Sequence, residues 1–125
     1  MTEETGAPPI DRTVLEGIRM LEDPGRQGLL EKVVSLYLSD SLGHMERIRI
    51  SAEAGDPESL RRAAHTLKSS SANVGATRVS EICREIEAGV AEGDSPPSGG
   101  PLFEKLESEY HSACRELRAI LDSGR

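Results

Sequence analysis

Apolar residues recur along this chain at steps of three and four and nowhere alternate with period two over a useful length. That pattern predicts helices and no strands. Val14, Leu15, Ile18 and Leu21 give a short first helix one apolar face, with Met20 to its side. Asp11 stands at its N-cap and Pro24-Gly25 ends it. The longest periodic run extends from about Gln27 to Ala54, through Leu30, Val33, Val34, Tyr37, Ser41, Met45, Ile48 and Ala52. Leu29, Leu36, Leu38 and Leu42 widen its apolar surface, which predicts a helix touching two neighbours. Gly43 interrupts the run at modest cost. Gly55-Asp56-Pro57 then joins a glycine stop, an N-cap and a proline at the first helical position, the sharpest boundary in the chain.

A third helix is predicted from Pro57 to about Asn73, and a fourth from about Ala76 to Ala91 with Val79, Ile82, Cys83, Ile86 and Val90 inward. Gly93 to Pro101 reads as a loop. A last helix spans about Leu102 to Leu121, with Phe103, Leu106, Tyr110, Ala113, Cys114, Leu117, Ile120 and Leu121 inward. The expected architecture is all-α, an up-down four-helix bundle with an additional short N-terminal helix. Residues 1–9 read as a disordered tail or linker, 10–122 as the domain and 123–125 as a tail.

The chain has 125 residues, enough for one domain whose core needs no disulfide or metal. It contains no tryptophan, one phenylalanine and two tyrosines, so that core is built from Leu, Ile, Val, Ala and Met. The net charge of −7 argues against nucleic acid as a partner, because phosphate backbones select basic surfaces. Cys83 and Cys114 form no metal or redox motif and fall on apolar faces, so they read as buried free thiols in a reducing compartment. The acidic N-terminus has no apolar signal core, and no apolar run approaches membrane-spanning length. A cytoplasmic protein with no membrane association is expected.

The third helix carries the candidate chemistry. A helix advances about 100° per residue, so with Leu60 at zero, Ala64, Leu67, Ser71 and Val74 fall within about 40° of it and Ala63 at about 60°. His65 lands at about 140°, off that core face. Arg61, Lys68, Ser69 and Ala72 are its neighbours one turn away or beside it on the wheel. The residues around His65 are small, which lets another protein approach closely, and two cations stand where they can neutralise a dianion. A helix this rich in serine is also intrinsically weak, so small polar side chains there serve something other than stability. Neutral imidazole is nucleophilic near pH 7, and this setting suits phosphoryl transfer through histidine.

The run His65-Thr66-Leu67-Lys68-Ser69-Ser70-Ser71-Ala72-Asn73-Val74-Gly75-Ala76 resembles the signature of histidine-containing phosphotransfer domains, which is His-x-Leu-Lys-Gly followed by small residues, an aliphatic and a glycine. The likeness extends to Arg61-Arg62-Ala63-Ala64 before it and to Glu81 through Glu87 after it. The resemblance implies a four-helix bundle in which His65 accepts a phosphoryl group from a receiver-domain aspartate and passes it to another receiver's aspartate. Lys68 would stabilise the phosphoryl group, and Gly75 would turn the chain between the central helices. The family often has a Gln or Glu on the next helix that orients the imidazole. Glu87 fits, because it lies twelve residues after Gly75 while His65 lies ten before it, so an antiparallel hairpin puts the two at one height.

Arg61, Ser69 and Ala72 are the expected partner-binding residues. Ser69 departs from the family, which usually has glycine there to give the receiver room; this bears on partner range or transfer rate. The resemblance further implies a carrier without kinase activity of its own, since no glycine-rich nucleotide loop is present. No cofactor and no metal site are expected on the chain, with Mg²⁺ on the receiver. The expected partners are response-regulator receiver domains, hybrid histidine kinases or both, met by a monomer. The alternative is a helical adaptor whose histidine is never phosphorylated. A metal enzyme using His44, His65 and His111 has no support in their spacing.

Overall fold

The computed structural model describes residues 8–25, 27–94 and 100–123. Its helices in order are α1 (Arg12–Arg19), α2 (Leu29–Ala54), α3 (Pro57–Asn73), α4 (Thr77–Ala91) and α5 (Pro101–Ser123). No strand occurs among the described residues. Each long helix packs on the next and α5 closes back on α2, while α1 lies against α2. One apolar core fills the ring, as the periodicity predicts.

The junction between α2 and α3 follows from three residues. Gly55 adopts a left-handed φ of 66°, and the Asp56 N–H reaches back to the Ser51 carbonyl at 3.0 Å, satisfying a helix-end acceptor. The Asp56 carboxylate then accepts from the Ser59 hydroxyl at 2.8 Å and the Ser59 N–H at 3.2 Å, which holds its carboxyl below the usual range. Pro57 occupies the first turn, where its missing N–H is no loss.

The turn between α3 and α4 does more than reverse the chain. Gly75 has φ 79°, and the Ala76 N–H bonds the Ser71 carbonyl at 2.8 Å. A Cβ on Gly75 would lie only 2.5 Å from the backbone carbonyl oxygen of Asp11. The Asp11 N–H in turn donates to the Gly75 carbonyl at 2.7 Å. The N-terminal segment is thus laid directly on the hairpin turn, and Ile10 is buried in the core beside it. Asp11 also caps α1 through the Thr13 N–H, and Arg12 pairs with Glu116 on α5.

Two polar links cross the interior. The hydroxyls of Tyr37 (α2) and Ser71 (α3) are 2.8 Å apart, and those of Ser41 (α2) and Tyr110 (α5) are 2.7 Å apart. Burial pushes the Tyr37 hydroxyl's pKa well above its ordinary value, so both members of that pair are neutral and each hydroxyl is satisfied. Cys83 and Cys114 are buried and free, and burial pushes the Cys83 thiol up to about 12.

Several expectations from the pattern need correction. The spacing puts Leu21 on the apolar face of the first helix, but α1 stops at Arg19 and Leu21 is exposed. Past Met20 the chain tightens, with the Leu21 N–H on the Ile18 carbonyl and the Glu22 N–H on the Arg19 carbonyl, which rotates Leu21 off the face. The second helix begins at Leu29 rather than near Gln27, where the Glu22 carboxylate accepts the Leu30 N–H at 2.9 Å. It runs unbroken through Gly43 and packs against three helices, not two, yet Leu36 and Leu42 stay exposed. The last helix extends two residues beyond Leu121. Residues 1–7 of the expected tail, 95–99 of the expected loop and 124–125 lie outside the described residues.

Candidate functional site

The α3–α4 hairpin brings His65, Lys68 and Glu87 together. His65 projects outward from α3 with its side chain 57% exposed. Its Nδ1 lies 2.7 Å from Glu87 Oε2, across the seam between the helices. Lys68, one turn further along α3, places Nζ 2.7 Å from the other oxygen, Oε1. Glu87 is the most sheltered of the three at 19% exposed, and Lys68 is 28% exposed. The 2.7 Å contact joins an ammonium to a carboxylate oxygen, so the Lys68–Glu87 pair is held chiefly by opposite charge.

Burial by itself pushes the Glu87 carboxyl up, but Lys68 and His65 together outweigh it and hold the carboxyl below its ordinary range. Glu87 is therefore ionised at neutral pH and can only accept. Nδ1 must therefore be the donor to this carboxylate, and in the neutral ring that assignment leaves the lone pair on Nε2. The contact with Glu87 holds the orientation of a ring whose side chain is more than half exposed.

Local packing sets this geometry. The core face of α3 is Leu60, Ala63, Ala64, Leu67 and Ser71, all buried, which leaves His65 on the outside. Ser80 on α4 donates its hydroxyl to the Lys68 carbonyl at 3.0 Å and fixes the slide of one helix along the other. Sequence reasoning missed Ser80, although the count that pairs Glu87 with His65 also puts Ser80 within a turn of Lys68. It also missed Ile10 and the seating of Asp11 on Gly75, for which no local signal exists.

The other expected residues are placed as follows. Ser69 and Ala72 are exposed on the His65 side of α3. Arg61 pairs with Glu58 at 2.8 Å, a carboxylate that also draws Arg62 at 3.1 Å, and it still feels the charge of Glu87. Gly75 sits at the turn under Asp11. His44 and His111 remain on α2 and α5, and no group of three potential metal-ligating side chains occurs among the described residues.

The fold is a helical bundle with an exposed imidazole held against a carboxylate of the neighbouring helix. The Hpt domain family model matches residues 32–122, and the chain belongs to that family. Among solved structures it is similar to histidine-containing phosphotransfer protein B (HptB) from Pseudomonas aeruginosa PAO1. The two share 23% identity over 96% of this chain and 100% of that one, with a TM-score of 0.85, a likeness of fold. No curated protein matches the chain. Hpt proteins are phosphotransfer intermediates rather than kinases, and this chain is a phosphorelay carrier whose class of partner is the receiver domain or its kinase. No helix among the described residues is long and apolar enough to cross a membrane.

Proposed function

We propose that His65 is the residue that carries the phosphoryl group. The observation behind this is the Nδ1–Glu87 hydrogen bond, which leaves Nε2 free on the exposed side of the ring. Nε2 attacks the phosphorus of an aspartyl phosphate on a receiver domain. The N–P bond forms as the P–O bond to the aspartate breaks, and the carboxylate leaves with the electron pair. The Nδ1 proton stays against Glu87 throughout, so the transfer needs no general base at Nε2. The return step reverses these bonds onto a second receiver's aspartate.

Glu87 acts as the positioning residue for the ring. Lys68 acts on the phosphoryl oxygens: its ammonium has three donors, and among the described residues it pairs with Glu87 alone. Ser69 and Ala72 form the small-residue surface against which the receiver closes. Arg61 adds positive charge at the edge, with Glu58 as its competing partner. The chain brings no cofactor and no kinase activity to the reaction; Mg²⁺ comes with the receiver. It works as a monomer, and its acidic surface leaves nucleic acid out. The two free, buried thiols suit the reducing conditions of the cytoplasm.

The test is transfer of radiolabelled phosphate from a phosphorylated receiver domain to the native chain and to His65→Gln. The native chain should gain an acid-labile, alkali-stable label and the variant none. Label retained by His65→Gln, or a native chain that stays unlabelled with several receivers, leaves the adaptor reading in its place.

A further inference from the structure

His65, Lys68 and Glu87 occupy the α3/α4 seam. Across the ring lies the seam between α2 and α5, which the Ser41–Tyr110 bond joins at one level. A groove of about 370 Å³ runs between the two helices. Its floor is apolar, with Met45 from α2 and Phe103 and Leu106 from α5, and Leu42 stands exposed at its edge. Its rim is acidic, with Glu53 on the α2 side and Glu104 and Glu107 on the α5 side. Arg49 also lines the groove, but it is already paired with Glu46 and Glu53. Glu104 and Glu107 make no ion pair among the described residues.

We infer that this groove docks a basic amphipathic helix of a partner protein, on the face opposite His65. The volume admits two or three apolar side chains, such as those at i, i+3 or i+4, and i+7 of a helix laid in the groove. Lysines or arginines flanking that stripe meet the carboxylates of the rim, which selects against acidic partners. A second copy of this chain fits poorly, because each protomer carries a net charge of −7 and brings acidic surface against the rim. The opposed placement of the two sites allows both to be filled at once. A carrier held by its α2/α5 face presents His65 to receivers at a raised local concentration. The inference does not depend on His65 chemistry.

The experiment titrates the ¹⁵N-labelled, unphosphorylated chain with a synthetic helical peptide that has leucines along one face and lysines beside them. A peptide of the same composition, scrambled to remove the apolar face, is the control. Saturable amide shifts should centre on α2 and α5 around Met45 and Leu106, with none around His65. The scrambled peptide should bind at least about tenfold more weakly, as should the Glu104→Lys/Glu107→Lys double variant, where two attractions become repulsions. Leu42→Ser, at an exposed position on α2, should weaken binding by itself while the circular dichroism of the bundle is retained. Equal binding of the scrambled peptide overturns the inference, as does binding unchanged by charge reversal or shifts centred on α3. Self-association of the free chain through the α2/α5 face assigns the groove to a second copy and overturns it too.

Discussion

Replacing Gly75 with alanine separates two reasons for a glycine at the α3–α4 turn. The first is backbone conformation: φ is 79°, and an alanine there costs about 1 kcal/mol or somewhat more. The second is space. The new Cβ would lie 2.5 Å from the Asp11 carbonyl oxygen, closer than such contacts occur, so the N-terminal segment must retreat. Retreat lengthens the 2.7 Å bond from the Asp11 N–H to the Gly75 carbonyl, worth about 1 kcal/mol, and draws Ile10 partly out of the core at about 1 kcal/mol more. Gly93 provides the control, since its φ is also 79° and a Cβ there meets nothing within 4 Å. Gly93→Ala should therefore lose only the conformational cost of about 1 kcal/mol, and Gly75→Ala about 2 kcal/mol more. Urea denaturation followed by far-ultraviolet circular dichroism reads this as a midpoint lower by about 1 M at unchanged slope. Equal midpoints for the two variants would refute the idea that Asp11 is what reserves the position for glycine.

Tyr37→Phe leaves the buried Ser71 hydroxyl without its partner and should cost about 1–3 kcal/mol in the same assay; a neutral result removes the Tyr37–Ser71 bond from the stabilising interactions. Glu87→Gln should destabilise the bundle at pH 7 by on the order of 1 kcal/mol, through loss of the charge pair with Lys68. The folded carboxyl lies below its ordinary value of 4.5, so its stabilisation is complete above that value and lost as pH falls through the lowered one. The gap between native and Glu87→Gln stability should accordingly close in acid, and a gap unchanged from pH 7 to about pH 3 contradicts the assignment. Lys68→Ala should slow transfer from a receiver without unfolding the bundle, measured by label uptake beside circular dichroism; unchanged rates with a panel of receivers take Lys68 out of the site.

The periodicity of apolar residues determined the helices, because a 3.6-residue repeat has one way to bury its face. The same repeat on α3 put Leu60, Ala64 and Leu67 inward and so turned His65 out, and the residue count across Gly75 set Glu87 at its height. These are one-dimensional facts, fixed by helix geometry once the turn is located. The tertiary structure decided what periodicity does not encode. It divided the wide apolar surface of α2 among three neighbours and left Leu36 and Leu42 exposed, because those positions point between helices rather than into the ring. It gave Arg61 to Glu58 and Lys68 to Glu87, since a long cation takes the nearest carboxylate rather than the direction its Cα suggests. It laid Asp11 on Gly75, a contact between segments far apart in the chain. It also left a groove along the α2/α5 seam, because how closely two helices approach depends on the side chains of both, and a single helical wheel holds only one of them.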